Sequence, residues 1–565
     1  MKRRLIAAAL VVACAPLTEN APEVDIEGVD PPAIGDAGIA ITNGVVYLAT
    51  ERGAFAEAVG IRGDSIVAVG TNTEVLEAMG PDAEQWDASG RTVVPGFHDL
   101  HLHVPEAGAY ENFCYLPPER TGRVYANLIA ACAAENPDGW VTAAGASLWN
   151  VDIEARSPLE MLDEAVPNRP VLVIDDLGHA AWTNSLGLAA AGITADSPDP
   201  QGGVFQRDSD GNLTGLLLED AQQLVRNALP VSDATLDSAL ETSLQVLAAN
   251  GVTTVSDSGG YYLQNHTQAW IRAADAGTLT VRAVNDLYVY PDLPFDEQMA
   301  TLTGLYRNTA GERLRIQTAK IYADGILDLG SALLVDPYDS APGPYERGFP
   351  YFQTDALNQY VNALHQAGFQ IEFHAVGDGA VRISLDAVEA IEADPTEIAA
   401  RHHRTTHNYL IHEDDVPRFA ELGVVADFQF GEETNASYAT FLEDFIGERA
   451  ARLLPVADMV AAGGTVTLSS DWDADALIPT GIISRSVHRQ LQGVADVESA
   501  VRMLTIVPAQ VLGHDDLVGS IEVGKRADIV ILSADIFDMR AQDIDNVLID
   551  LTMIDGEAIY ARTDF

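Results

Sequence analysis

Eight short apolar segments recur through the middle of this chain, most of them followed by a stretch with helical spacing. They occupy residues 93–103, 251–257, 280–286, 316–324, 369–376, 405–410, 424–430 and 466–471. Apolar runs of this length, bounded by turn residues and separated by helical patterns, read as strands buried on both faces. Ala-, Leu- and Glu-rich stretches such as 355–368 and 380–393 supply the helices between them. Eight such units predict an α/β fold, a parallel (β/α)8 TIM barrel over 95–514. An open doubly wound sheet is the alternative, and eight even repeats disfavour it. Between the first and second strands an insertion is expected at about 104–250.

The two ends of the chain have a different character. Residues 38–48 and 58–69 alternate in the β manner, with Gly60 and Gly63-Asp64 as turn signals, and so do 528–532, 547–553 and 558–560. The expectation is a small β-sandwich domain built from both ends, 37–94 plus 515–565. Before it, Lys2, Arg3 and Arg4 precede an apolar run to Ala13, the pattern of an export leader too short to span a bilayer. Val11-Val12-Ala13-Cys14 resembles a bacterial lipobox, which implies a lipoprotein signal peptide over 1–13 and lipidation at Cys14. Residues 14–36, rich in Pro, Glu and Asp, read as a tether. The chain is therefore expected to be exported, periplasmic or in the cell envelope, and lipid-anchored. Cys114 and Cys132 can form a bridge in such a compartment or remain as buried thiols.

With 84 acidic and 32 basic side chains the formal net charge is −52. That excludes nucleic acid as a natural partner and disfavours adhesion to anionic lipid, so membrane contact is expected only through Cys14. A small-molecule substrate is the expected partner; a homodimer is left open.

The sharpest local signal is Pro95-Gly96-Phe97-His98-Asp99-Leu100-His101-Leu102-His103. His101 and His103, two apart on a strand, project to one face and can hold one ion. Lys320, His374, His407 and Asp471 fall on the fourth, fifth, sixth and eighth strands, and a barrel gathers such strand ends over one mouth. Neutral imidazoles with a carboxylate suit zinc or a similar borderline cation. Lys320 lies inside an apolar strand, where a free surface charge is disfavoured; carbamylated by carbon dioxide, it becomes an anion able to bridge two metals.

Together with Gly178-His179-Ala180-Ala181-Trp182-Thr183-Asn184-Ser185, Thr214-Gly215-Leu216-Leu217-Leu218-Glu219, Lys320–Gly325, His374-Ala375-Val376-Gly377-Asp378, His407 and Ser470-Asp471-Trp472, this motif resembles the amidohydrolase superfamily, in the YtcJ-like or N-substituted formamide deformylase branch, from about residue 38 to 565. The resemblance implies a metal-dependent hydrolase of C–N bonds other than ordinary peptide bonds, acting on an amide, N-acyl or N-formyl group. It implies two divalent metal ions held by His101, His103, His374, His407 and Asp471 with carbamylated Lys320 as the bridge. A metal-bound hydroxide would attack the carbonyl, and Asp471 would pass the water proton to the leaving nitrogen. His179 is the second catalytic candidate, as a hydrogen-bond donor to the oxyanion. Trp182, Asn184, Tyr322, Asp324 and Trp472 are candidate substrate contacts, with Trp149 and Phe430 as further aromatics near the mouth. Three positions depart from the branch's pattern: Thr406 stands in place of Glu, Gly379 in place of Arg, and Ile326-Leu327-Asp328-Leu329-Gly330-Ser331 where Ser-Arg is usual after Gly325. All are expected in mouth loops, which puts the substrate in question rather than the metal chemistry. The same site could open a lactone or phosphoester, and a catalytically inactive surface-binding lipoprotein is the reading from another class.

Overall fold

The computed structural model describes residues 29, 35 and 37–562, apart from 111, 119, 149–150, 152–156, 432–435 and 490–491. The leader, Cys14, nearly all of the tether, and Trp149 lie outside the described residues.

The eight expected strands form one parallel sheet in sequence order. We label them β1 (Phe97–Leu102), β2 (Val252–Gly260), β3 (Arg282–Tyr288), β4 (Leu314–Tyr322), β5 (Gln370–Ala375), β6 (Arg404–His407), β7 (Val425–Gln429) and β8 (Thr465–Ser469). The seam between β8 and β1 is bonded at the mouth: the Asp471 N–H donates to the His101 carbonyl and the His103 N–H to the Trp472 carbonyl, each at 2.8 Å. The helices at Thr354–Gln366 and Asp378–Glu389 lie where their spacing put them. Their apolar faces, with Leu357, Val361, Leu364, Val381, Leu385 and Val388, join the barrel core.

One expected strand is in fact two. Residues 93–103 divide into Thr92–Pro95, which belongs to a flanking sheet, and β1, with Gly96 between them. A Cβ on Gly96 would stand 2.1 Å from Thr253 Oγ1, so no other residue lets β1 approach β2 this closely. Residues 38–48 likewise split at Asn43, whose φ of 55° turns the chain from Ile39–Thr42 into Val45–Tyr47.

Those two strands enter different flanking sheets. Ser65–Gly70, Ala58–Arg62, Ile39–Thr42 and Glu84–Asp87 make a four-stranded sheet. Glu557–Ala561, Ile549–Ile554, Ile529–Leu532, Thr92–Pro95, Val45–Tyr47 and Phe55–Ala56 make a six-stranded one. Ile39, Ile41, Val59 and Trp86 from the first meet Val93, Ile529, Ile531 and Leu551 from the second in one buried cluster, the packing of a β-sandwich.

Between β1 and β2 the chain builds a third unit. Its six-stranded mixed sheet runs Gly203–Arg207, Leu213–Glu219, Ala180–Thr183, Val171–Asp175, Val141–Ala146 and Cys114–Tyr115. Cys114 and Cys132 are disulfide-bonded, with Cα atoms 6.2 Å apart, tying the edge strand to the helix Gly122–Glu135. After the helix Ala221–Ala228, the helix Asp233–Ala249 returns to the barrel, whose core takes Leu236, Leu240, Leu244 and Leu247. Among the described residues no helix is long and apolar enough to cross a membrane.

Non-reducing peptide mapping should recover one linked Cys114–Cys132 peptide. Because the bridge closes a loop with a sequence separation of 18, its loss in a Cys114→Ser/Cys132→Ser variant should lower the unfolding free energy of the inserted unit by about 3 kcal/mol, read by hydrogen exchange.

Candidate functional site

The mouth of the barrel holds a cavity lined by His101, His103, His374, His407 and Asp471, with His179 and Tyr322 beside them. Four strand ends deliver the first five: β1, β5, β6 and β8. His101, His103 and Asp471 come closest, with one donor atom of each within 4.8 Å of the others. Asp471 Oδ1 stands 3.1 Å from His101 Nε2 and 3.6 Å from His103 Nε2, and its Oδ2 lies 3.6 Å from His407 Nδ1. The rings of His101 and His407 are 4.6 Å apart and those of His407 and His374 4.4 Å.

These groups fit a divalent cation. Among the described residues, Nε2 of His374 and Nε2 of His407 are buried without a hydrogen-bond partner, and His374 Nδ1 faces only the Asp324 carboxylate at 3.4 Å. This arrangement costs free energy unless something else takes the one lone pair of each ring. Burial, reinforced by the neighbouring imidazoles, holds the pKa of both rings well below the usual range, so each offers a lone pair at neutral pH. Burial opposes ionisation of Asp471, but His101 and His407 outweigh it and keep the carboxyl below its usual range. Neutral imidazoles around a carboxylate are the donor set of zinc-type ions.

Several of these residues are held in the left-handed region: His407 at φ 71°, Asp471 at 62°, and Asp473, another cavity residue, at 149°. For side-chain-bearing residues this is strained backbone, which concentrates at functional sites.

Lys320 sits inside the barrel beside the cavity, fully buried. Its Nζ donates to Glu372 Oε1 at 2.8 Å and stands 3.2 Å from His101 Nδ1. Glu372 also faces His101 Nδ1 at 2.5 Å and accepts from Ser258 Oγ at 2.8 Å and from Arg404 at 2.7 Å. The ladder makes this row: Lys320 is in register with Glu372, and Glu372 with Arg404. Burial disfavours the Glu372 charge, yet Lys320 and Arg404 hold its pKa well below normal. Sequence reading passed over Glu372, although the signal that singled out Lys320, a charge inside an apolar strand, is present there too.

His179 reaches the cavity from the inserted unit. Its Nδ1 is bound to Glu219 Oε2 at 2.6 Å. Burial works against a charged ring, but Glu219 prevails and raises the His179 pKa. Glu219 is itself held by Tyr351 OH at 2.7 Å and by Ser331 Oγ, and it adopts φ 56°. A Cβ on Gly325 would stand 2.1 Å from Glu219 Oε1, so this glycine makes room for the acid.

Among the described residues, Tyr322 is the only expected substrate contact that lines the cavity. Trp182 is fully buried in the core of the inserted unit, its indole N–H donating to the Pro158 carbonyl. Asn184 caps the helix Ser185–Ala190 and bonds Val166 and Arg169 carbonyls. Asp324 accepts the backbone N–H groups of Leu333, Val376 and Gly377 at 2.8 to 3.0 Å, which orders the loop after β4. Trp472 packs in the barrel core, as does Phe430. These five are corrected to structural roles; their types suit a pocket, but tertiary packing and capping claim them. Glu106, Arg226, Tyr261 and Asp473 line the cavity instead, Arg226 paired with Glu106.

The departures also find physical reasons. Thr406 is not in a loop but within β6, fully buried, donating to the Phe373 carbonyl at 3.3 Å. A Cβ at Gly379 would meet the Leu333 carbonyl at 2.8 Å, leaving no path for an arginine side chain. Ser331 serves as the Glu219 clamp.

A model of the amidohydrolase family matches residues 84–560. This chain belongs to the amidohydrolase family. It is similar to an N-substituted formamide deformylase of Arthrobacter pascens, 29% identical over 556 residues that cover 93% of this chain and 98% of that one. It is also similar to the amidohydrolase-named YtcJ protein of Bacillus subtilis, 28% identical over 546 residues, 92% of this chain and 99% of the other. Among solved structures, an uncharacterized metal-dependent hydrolase from Pyrococcus horikoshii shares the amidohydrolase fold with a TM-score of 0.71 and 20% identity, covering 89% of this chain and 99% of that chain.

In this amidohydrolase the buried row is predicted to be a stability hot spot. Arg404→Met should cost about 3–5 kcal/mol in chemical denaturation, because it removes the cation that two buried carboxylates share, Glu372 at 2.7 Å and Asp286 of β3 at 2.6 Å. Asp286→Asn placed on that background should recover part of the loss, because it neutralises the carboxylate whose only ion-pair partner among the described residues was Arg404.

Proposed function

We propose that this amidohydrolase hydrolyses a C–N bond in an amide, N-acyl or N-formyl compound other than an ordinary peptide, with divalent metal in the cavity. One observation carries the reading: side chains at the ends of β1, β5, β6 and β8 bring four imidazoles and one carboxylate to a single cavity where, among the described residues, imidazole nitrogens lack hydrogen-bond partners. The similarity to a formamide deformylase along nearly the whole chain supports the bond class. Two cations of the zinc kind are proposed, one at His101, His103 and Asp471 and the other at His374 and His407. Lys320 is proposed to bridge them as a carbamate, which requires its nitrogen to leave Glu372.

Bound metal supplies a Lewis acid for the carbonyl and makes water a competent nucleophile near neutral pH. The residues do the rest. Asp471, ionised at the mouth, takes the proton of the attacking water and returns it to the nitrogen as the C–N bond breaks, so that acid and amine leave without a high-energy amide anion. His179, its Nδ1 engaged by Glu219, presents Nε2 to the substrate oxygen, where negative charge develops. Tyr322 and Tyr261 close the sides of the space. The Cys114–Cys132 bridge supports an exported location, since such bonds persist in oxidising compartments.

Metal analysis of the purified protein should find zinc or a similar ion, and chelation should abolish a hydrolysis that added zinc restores. Screening N-formyl amines, N-acyl amines, lactones and phosphotriesters should give turnover of the first two groups. Turnover confined to lactones or phosphotriesters would overturn the bond assignment, and a protein that takes up no metal would overturn the whole reading. Intact-peptide mass measured without acid should show Lys320 carrying the added mass of carbon dioxide.

Asp471→Asn should lower kcat by roughly 10²–10⁴-fold. His179→Phe should lower it by roughly 10²–10³-fold while metal content stays at the wild-type level.

A further inference from the structure

The chemistry above leaves one buried acid without a part. We propose that Glu372 is a positioning residue of the metal centre, fixing His101 as an Nε2 donor from a floor inside the barrel. This rests on the metal reading given above.

A neutral imidazole has one N–H and one lone pair. The ring nitrogen that meets a carboxylate keeps the hydrogen, and the other is then free to ligate. His101 Nδ1 faces Glu372 Oε1 at 2.5 Å, while its Nε2 is turned to the cavity, 3.1 Å from Asp471. The orientation of the ring is thereby settled before any ion arrives.

What distinguishes Glu372 is how firmly it is itself held. It is fully buried, and Ser258 and Arg404 occupy its oxygens at 2.8 and 2.7 Å, two braces that remain when Lys320 leaves it. Arg404 sits on the neighbouring strand in register with Glu372, so that spacing is set by the barrel backbone rather than by a loop. His103 differs: its Nδ1 lies 3.2 Å from Glu106 without hydrogen-bond geometry, and its Nε2 3.6 Å from Asp471. Of the two, His101 is the one whose ring is fixed by a hydrogen bond from behind. Ordering a metal-bound imidazole in this way commonly contributes 10–100-fold in metal affinity.

The test is a zinc competition titration with a chromophoric chelator, together with the visible absorption spectrum of the cobalt-loaded protein. Both are applied to the wild type, Glu372→Gln and Ser258→Ala, with the fold checked by circular dichroism. Glu372→Gln, which keeps the volume and removes the charge, should weaken zinc binding by roughly 10–100-fold and shift the cobalt bands. Ser258→Ala removes one brace of the same carboxylate, and should weaken binding in the same direction by a smaller factor; it decides the matter should the Gln variant not fold. Wild-type affinity and an unchanged cobalt spectrum in the folded variant would overturn the positioning role while leaving the metal reading intact. A wild type that binds neither zinc nor cobalt would remove both, and the two failures are told apart by the wild-type titration alone.

Discussion

The barrel closes on its own candidate ligands. A parallel sheet of eight strands must join its last strand to its first, and here the joining bonds at the mouth run from Asp471 to the His101 carbonyl and from His103 to the Trp472 carbonyl. The same residues present the closest donor atoms of the cavity. Seam and site therefore cannot be varied independently: a shift of β8 along β1 would break the backbone bonds and separate the carboxylate from both imidazoles in one movement. The left-handed conformation of Asp471 belongs to this arrangement, since the chain must leave β8 sharply to pass its side chain inward.

Beneath that seam lies a second constraint. A lysine, a glutamate and an arginine side by side in a barrel interior would be ruinous singly, because each would be a charge without solvent. In register across β4, β5 and β6, and with Asp286 of β3 as the second anion on Arg404 at 2.6 Å, they satisfy one another, and the group that profits is the imidazole above them. The inserted unit repeats the device at its own edge, where Glu219, clamped by Tyr351 and Ser331, holds His179.

What was legible in the sequence follows the range of the physical signal. Strand periodicity is local, so all eight barrel strands could be read, as could the shared face of His101 and His103. Strand ends were less legible: residues 93–103 look like one apolar run because nothing in the letters says that Gly96 lets one half pair with Ile529–Leu532 and the other half with β2. The aromatic and amide candidates failed for a different reason. Trp182 and Asn184 stand beside His179 in the sequence, but alternation along the strand and the helix that follows turn them into the core and onto a cap. Arg226 reaches the cavity from a helix far along the chain, and no short-range pattern marks it; Glu106, only three residues after His103, comes from the helix that follows β1 directly. Glu372 could have been found by the reasoning applied to Lys320.

The sandwich beside the barrel has a bearing on how the molecule comes into being. Its strand Thr92–Pro95 is bordered by Val45–Tyr47 on one side and by Ile529–Leu532 on the other. A ribosome therefore finishes the earliest strands of this sheet more than four hundred residues before it makes their neighbours, and the leading segment must wait with an open hydrogen-bonding edge until the trailing one emerges. Completion of this sheet is accordingly a late step, and it clasps residues 45–95 to residues 529–561.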